Sequence, residues 1–266
     1  MAAEISGFDV RRSWFSLWKI GKLSLAWPTP LLSNYHEAYD AVSNSTYRAM
    51  NSTTDGQKAR SNTTQKGLMR AAEKLISEKG IHQVSIREIV SEAGQKNESA
   101  LQYHFKNLQG LLVAIHKERN QQTQAKRQEL LDELLAQDNA PSLRDLCRIM
   151  VMPTYLLAKA DTKFRRYIAA FAQDVAFTDE SALAMVSKSG SGGESGLKTG
   201  NLLRSVLSNL DERAYRQRME FAIRLCSIAM GNQARKKNAF RGEESERFLN
   251  GLLDALEGLL NAPISK

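Results

Sequence analysis

Apolar residues recur at helical spacing along most of the chain after residue 62. The first stripe, which predicts a first helix, consists of Leu68, Ala71, Ala72, Leu75 and Ile76. It ends at Gly80, a residue type that commonly terminates helices. Ser85 and Glu88 then have the spacing of a capping box and predict a second helix of about two turns, which Gly94 closes.

Two asparagines mark two further helix starts. Asn97 can cap a short third helix that buries Leu101 and Phe105. Asn107 can cap a fourth helix, whose apolar residues are Leu108, Leu111, Leu112 and Ile115. Two short helices therefore flank a tight turn, which is the arrangement of a helix-turn-helix. In that motif the second helix can enter the major groove of DNA.

The rest of the chain keeps the helical pattern without convincing strand alternation. Helical runs are predicted near 121–137, 142–159, 162–175, 179–188, 197–209, 211–236 and 244–261. Residues 189–196, which are Ser, Gly and one Glu, predict a mobile loop. We therefore expect an all-α protein.

The first sixty residues do not follow this pattern. No helical or strand period persists before Pro28 and Pro30, and residues 43–64 are rich in Ser, Thr and Asn, as flexible linkers are. We expect residues 1–60 to be a disordered leader and linker, with Met50 as the true initiator. An amphipathic segment at 11–32 that touches a membrane is the alternative.

Composition excludes several classes of protein. The chain has 266 residues, 42% of them hydrophobic, and only five prolines, so it is neither collagen-like nor wholly disordered. It contains no apolar run of about eighteen residues that would predict a membrane span. Two cysteines and four histidines give no disulfide scaffold and no zinc-ligand spacing. We expect no metal, no cofactor, no membrane partner and a cytoplasmic location.

The net charge of +8 is unevenly distributed. Residues 58–128 hold thirteen basic and six acidic side chains, a net charge of +7. Residues 1–57 are balanced, and residues 129–266 have a net charge of +1. A basic segment followed by a nearly neutral one indicates a phosphate-binding module joined to a partner domain. A solvated basic face is the alternative.

Residues 67–112 resemble the TetR/AcrR family of bacterial transcriptional regulators. The resemblance rests on Ala71-Ala72, the Gly80 turn, Ser85-Ile86-Arg87-Glu88-Ile89, Ala93-Gly94, Tyr103-His104-Phe105 and Leu111-Leu112. The segment between Gly94 and Tyr103 is one residue longer than the commonest family pattern, so the start of the recognition helix is defined to within one residue.

The resemblance implies a helix-turn-helix DNA-binding domain of three helices at 61–120 and a helical ligand-binding and dimerisation domain at 121–266. By position it implies DNA-backbone contacts from Ser85, Arg87, Tyr103, His104 and Lys106. Base reading would fall to Gln95, Lys96, Asn97, Ser99 and Gln102. Ser85 and Asn97 would also be satisfactory helix caps in the absence of DNA.

The C-terminal half contains candidates for both of the implied roles. Methionine and aromatic side chains near Pro153, which we expect to kink its helix, can line an apolar ligand pocket; the candidates are Met152, Tyr155 and Phe171. Core packing is their alternative role. Wide apolar stripes at 222–230 and 248–260 predict a homodimer, with a larger single-chain core as the alternative.

We therefore expect a ligand-responsive, sequence-specific DNA-binding regulator, a repressor that binds a palindromic operator as a homodimer and responds to an unknown small apolar ligand. A transcriptional activator of the same family and a nonspecific DNA-binding protein are the alternatives. We expect no enzyme and no catalytic residue, because no nucleophile is paired with a base. The string GGESGLKTG at 192–200 is not a P-loop, since Leu197 separates Gly196 from Lys198.

Overall fold

A computed structural model describes residues 55–177, 179–184 and 192–264. These residues form helices and no strand, which confirms the expected all-α class. The expectations about the leader, Met50 and the segment 11–32 lie outside them. The main helices are α1 (Asp55–Lys79), α2 (Ile86–Glu92), α3 (Ser99–Phe105), α4 (Leu108–Leu135), α5 (Leu143–Ala160), α6 (Thr162–Phe177), α7 (Gly193–Val206), α8 (Glu212–Arg235) and α9 (Gly242–Asn261).

A first hydrophobic core, here called the N-terminal cluster, joins α1, α2, α3 and the start of α4. Its members lie at the helical spacing seen in the sequence, because each helix turns one apolar stripe inward. One residue of α6, Phe171, completes it. The cluster consists of Leu68, Met69, Ala71, Ala72, Leu75, Ile76, Val84, Ile89, Val90, Leu101, Phe105, Leu111, Leu112, Ile115 and Phe171.

A second core, here called the C-terminal cluster, is built by α5 to α9. Its largest fully buried side chains are Phe164, Phe240, Leu146, Leu203, Leu207 and Leu253. Helix α6 packs against both α1 and α8, so it lies between the two clusters. Within the described ranges, no helix combines the length and the apolarity needed to cross a bilayer.

Helix α1 begins at Asp55, so the expectation of a flexible linker over residues 43–64 was wrong for its last ten residues. Polar residues in this segment remain compatible with a helix when their side chains bond to the backbone of the preceding turn. The hydroxyl of Thr63 does so, donating to the carbonyl oxygen of Ala59 at 2.9 Å.

Helix α4 is continuous over 28 residues, although two helices divided near residue 120 were expected. No Gly or Pro follows Gly110 in this helix to end it. Its polar middle turn is stabilised by partners in other helices, since Arg119 is buried against α1 and His116 against α6. One helix of about 42 Å therefore crosses the boundary expected between the two domains.

Helix α7 begins at Gly193, so the mobile loop expected at 189–196 was wrong for its last four residues. Residues 189–191 lie outside the described residues. Two bonds hold the start of α7 against α4. Arg127 donates to the carbonyl oxygen of Gly192 at 3.0 Å, and the Ser195 hydroxyl donates to that of Gln124 at 3.2 Å.

Helices α6 and α8 approach each other closely at Gly231. A Cβ atom at Gly231 would overlap the Cβ atom of Ala172. We therefore expect Gly231→Ala to lower the free energy of unfolding by about 1–3 kcal/mol, because two helix backbones must move apart. Urea unfolding followed by circular dichroism measures the change.

The matched control is Gly200→Ala in α7, where an added Cβ meets nothing within 4 Å. Because alanine favours a helix more than glycine does, this variant should be neutral or more stable by up to about 1 kcal/mol. Equal stabilities for the two variants would contradict the close packing of α6 on α8.

Candidate nucleic-acid interface

A capping box and an ion pair fix the start of α2. The Glu88 backbone N–H donates to the Ser85 hydroxyl oxygen at 3.3 Å, and the Ser85 backbone N–H donates to Glu88 Oε2 at 2.9 Å. Lys79, the last residue of α1, donates to Glu88 Oε1 at 2.6 Å. The Lys79 ammonium and the Ser85 donors lower the pKa of Glu88 from its usual 4.5 to about 2.

The turn after α2 is a Schellman motif centred on Gly94. Its backbone has a φ of 68°, a conformation that favours glycine. The Gly94 N–H donates to the Ser91 carbonyl at 3.0 Å, and the Gln95 N–H donates to the Val90 carbonyl at 2.9 Å. This turn sets the angle at which the chain leaves α2 and approaches α3.

Asn97 bonds to the first turn of α3 from one residue before its N-cap, Glu98. Helix α3 is assigned from Ser99, but Glu98 already has helical dihedral angles. The Asn97 side-chain oxygen accepts the Ser99 backbone N–H at 3.1 Å and also accepts the Ser99 hydroxyl. Leu101 and Phe105 are buried in the N-terminal cluster, so the opposite face of α3 points to solvent.

The corner between α3 and α4 is tightly constrained. Lys106 has a φ of 67° and a ψ of −48°. The residues on either side of it are bonded, since the Asn107 N–H donates to the Phe105 carbonyl at 2.8 Å. These three residues therefore form a γ-turn. Such a conformation is strained for a residue other than glycine. Asn107 caps α4, as predicted, by accepting the Gly110 N–H at 2.8 Å. A Cβ atom at Gly110 would overlap the carbonyl oxygen of Phe105, so glycine is required there.

Most of the residues that the sequence predicts to contact DNA lie at the surface formed by α2, α3 and the turns that follow them. The exposed ones are Ser85, Arg87, Lys96, Asn97, Ser99, Gln102, Tyr103 and Lys106. Tyr103 has 79% of its surface exposed, unusually much for an aromatic residue. Gln95 and His104 are half-buried, and burial lowers the pKa of His104.

The cations of this surface are available to bind an anion. Arg87, Lys96 and Lys106 form no ion pair with any side chain that the structure describes. Two lysines near the end of α1 differ, since Lys74 is paired with Glu92 and Lys79 with Glu88. The exposed surface of α2 and α3 therefore presents positive charge beside hydrogen-bonding side chains, the chemistry that phosphate oxygens and base edges require.

Sequence reasoning missed the buried polar contacts that α4 makes with α1 and α6. Arg119 of α4 forms a bidentate ion pair with Glu73 of α1, with N–O distances of 2.7 and 2.8 Å. His116 of α4 contacts the Tyr167 hydroxyl of α6 at 3.1 Å, and burial lowers the pKa of His116 to about 4. The available signal was a charged residue, Glu73, next to the apolar stripe of α1.

The three candidate ligand-contacting residues do not share one cluster. Tyr155 is buried in the C-terminal cluster, where its hydroxyl lies 2.7 Å from that of Ser245 and its ring packs edge-on against Phe240. Met152 is half-buried against the same cluster. Phe171 packs in the N-terminal cluster, with its ring 4.7 Å from that of His116, so it lies apart from the other two. A ligand-contacting role for the three residues stays a prediction.

Comparison with known proteins finds one matching family. A sequence model described as bacterial regulatory proteins, tetR family, matches residues 68–115. No curated protein matches the sequence. Among solved structures, RolR in complex with resorcinol is 14% identical, with a TM-score of 0.41 over 79% of this chain and 98% of that one. A structure assigned to the TetR family of transcriptional regulators, from Mesorhizobium loti, is 18% identical, with a TM-score of 0.37 over 74% and 96%.

The environment of Glu88 predicts a pH-dependent stability. We expect Glu88→Gln to lower the urea midpoint at neutral pH, because the amide loses the charge that pairs with Lys79. The pKa of Glu88 is lower in the folded state, so its carboxylate stabilises the fold fully above about pH 5 and progressively less toward its pKa of about 2. The difference between wild type and variant should therefore shrink from about pH 5 to pH 3.

Glu98→Gln is the control, since Glu98 is exposed and forms no ion pair with a described side chain. The comparison uses urea unfolding at each pH. A midpoint difference for Glu88→Gln that stays constant across this range would contradict the assigned ion pair and capping box.

Proposed function

We propose that the chain is a ligand-responsive repressor that binds a palindromic operator as a homodimer, because residues 68–115 match the model of the tetR family of bacterial regulatory proteins. The observation that carries the proposal is the outward face of α3. It presents Gln102 and Tyr103, and the cations nearby lack a carboxylate partner among the described side chains.

The proposed base contacts come from α3 and the residues before it. Gln102 and Lys96 are exposed and suit adenine and guanine edges respectively. Asn97 and Ser99 are bonded to each other in the helix cap, so the Asn97 NH₂ group is the donor that remains for a base. Gln95 is half-buried and its NH₂ group donates weakly to the Ala93 carbonyl at 3.4 Å, which leaves it a smaller role.

The proposed backbone contacts surround that helix. Arg87, Tyr103 and Lys106 are exposed and can donate to phosphate oxygens without reading sequence. The γ-turn at Lys106 supports this role, because backbone strain at a residue other than glycine is common at functional sites. The Ser85 hydroxyl is already bonded to Glu88, and His104 is half-buried, so we rank both below these three.

We propose that α8 and α9 form the dimer interface. Phe221 and Ile228 of α8 are 50% and 37% exposed, and Leu225 lies between them on the same face. Gly251, Ala255 and Gly258 form an exposed stripe of small residues on α9, which allows close approach of another helix. Two such faces related by a twofold axis would place two copies of α3 about one DNA turn apart.

Ligand response requires that two conformations differ in their affinity for DNA. We propose that a small apolar ligand binds in the C-terminal cluster near Met152 and Tyr155 and favours one of two positions of α4 and α6. Both helices contribute side chains to the N-terminal cluster, so their displacement would move α3. Coupling of this kind is typically worth about 1–3 kcal/mol.

We propose no catalytic role and a location in the bacterial cytoplasm, where the chromosome is accessible. Transcriptional activation and nonspecific DNA binding are the competing functions. Random-site selection with the full chain separates specific from nonspecific binding, and a reporter fused to the selected site separates repression from activation.

Lys106→Ala tests the backbone contacts. Alanine meets the same strained φ as lysine, so the variant removes the charge and leaves the turn largely unchanged. We expect weaker binding to every DNA sequence and a salt dependence that is flatter by about one unit, because one fewer counterion is released. Fluorescence anisotropy at several salt concentrations measures the slope.

Lys159→Ala is the matched control, since Lys159 is an exposed lysine at the end of α5, outside the proposed interface. Gln102→Ala should instead leave the salt slope unchanged and cost about 1–3 kcal/mol of discrimination at one base pair. An unchanged slope for Lys106→Ala removes Lys106 from the contacts. Failure to select any sequence contradicts the regulator proposal.

The dimer proposal predicts a mass of twice 29.7 kDa by light scattering. Phe221→Glu combined with Ile228→Glu should give the mass of one chain, because two carboxylates would be buried at the interface. Leu197→Glu, at a 67% exposed leucine on α7, is the control and should remain dimeric. A wild-type mass near 29.7 kDa at micromolar concentration would contradict the proposal.

A further inference from the structure

A cavity of about 370 Å³, open to solvent, lies at the surface where α1, α6 and α8 meet, and Arg166 and Arg235 at its rim are exposed. It is separate from the exposed face of α3 and from the residues proposed to bind an apolar ligand. Its walls come from the helix α1 of the DNA-binding module and from two helices of the C-terminal cluster. The lining residues are Ser77, Arg165, Arg166, Ala169, Ala234 and Arg235.

The lining is strongly cationic. Three of its six residues are arginines and none is acidic. Neither Arg165 nor Arg166 forms a side-chain hydrogen bond or an ion pair with a residue that the structure describes. Like charges held together without a counterion are unfavourable, and an anion in the cavity would relieve that repulsion.

The third arginine is held in place by the backbone. One N–H group of Arg235 donates to the carbonyl oxygen of Ala169 at 2.6 Å, which fixes its guanidinium against α6. The Ser77 hydroxyl donates to the Lys74 carbonyl at 2.7 Å, so the arginines supply the free donors. A guanidinium that is already positioned loses less conformational entropy when it binds a ligand.

Two small side chains leave the space between these arginines open. Ala169 and Ala234 line the cavity and fill little of it. The close contact of Gly231 with Ala172 fixes the spacing of α6 and α8 nearby. The cavity is therefore bounded by helices held at a set distance, and its volume is in the range of small-molecule sites.

We propose that this cavity binds the phosphate group of a small molecule. Planar guanidinium groups bind phosphate oxygens through paired hydrogen bonds, and several arginines around one site suit a doubly charged anion. The volume exceeds that of a phosphate alone, which favours a phosphorylated metabolite over free phosphate. Such a ligand would tie α1 to α6 and α8, and so would add a second input to the orientation of the DNA-binding module.

Isothermal titration calorimetry of the full chain, at constant ionic strength, tests this site with inorganic phosphate and with phenyl phosphate. We expect saturable binding of at least one probe, with a Kd below about 10 mM. Arg165→Gln combined with Arg166→Gln should weaken it by about tenfold or more. Arg213→Gln, at an exposed arginine of α8 without a described ion pair, is the control and should bind as wild type does.

Circular dichroism and a thermal melt establish whether the double variant folds. If the double variant does not fold, the single variant Arg166→Gln, at an exposed arginine, is used in its place. Tighter binding of phenyl phosphate supports a phosphorylated metabolite, and tighter binding of inorganic phosphate supports free phosphate in the same site. Equal affinities in wild type and the arginine variants overturn the proposal, as does absence of saturable binding.

DNA is the other anion that these arginines can meet. If the double variant loses DNA affinity while neither probe binds the wild type, the arginines contact the DNA backbone and the small-molecule site is wrong. Because the titration is performed without DNA, its result does not depend on whether the chain is a repressor.

Discussion

The position of α4 on α1 depends on the buried ion pair between Glu73 and Arg119, beside which Phe164 of the C-terminal cluster packs. Both side chains are less than a tenth exposed, so the full desolvation of two charges must be offset by their mutual geometry. The bidentate contact does this, and further groups surround the guanidinium. Gln122 accepts one of its hydrogen bonds at 3.0 Å, and the ring of Phe164 lies 5.7 Å from its carbon. Loss of one partner from such a pair typically costs about 3–5 kcal/mol, so α1 and α4 are held in one relative position.

The same region joins the helix-turn-helix to the C-terminal cluster. His116 and Arg119 lie one turn apart on α4, and each contacts a different neighbour, His116 packing on α6 and Arg119 on α1. Phe171 of α6 inserts into the N-terminal cluster beside His116. The described contacts between the two clusters therefore run through α1, α4 and α6, and a change in the C-terminal cluster can reach α3 through these helices. The arginine-lined cavity lies at this junction as well.

Capping residues and the turn glycine predicted the positions of the short helices α2 and α3, because these signals act over only a few residues. Ser85 with Glu88, the glycine at 94 and the asparagines at 97 and 107 each occupy the position that their spacing predicted.

Signals that depend on distant partners were missed. The sequence around residue 120 is polar and reads as a break, yet α4 continues because Glu73, 46 residues away, neutralises Arg119. The Gly and Ser residues at 189–196 are typical of a loop, yet α7 starts at Gly193. Arg127 and the backbone of Gln124, both on α4, are bonded to the start of α7. Phe171 has the apolar character of a pocket residue, and only the path of α6 shows that it completes the other cluster.

The tight corner at Lys106 and Gly110 determines how motion of α4 reaches α3. The backbone carbonyl of Phe105 lies directly against the first turn of α4, where a Cβ atom at Gly110 would overlap it. A rotation of α4 by a few degrees would therefore carry α3 through the same angle, whereas a flexible linker would absorb part of it. Over the length of α4, an angular change too small to disturb either cluster becomes a shift of a few ångströms at its ends, which is enough to displace α3 relative to the C-terminal cluster.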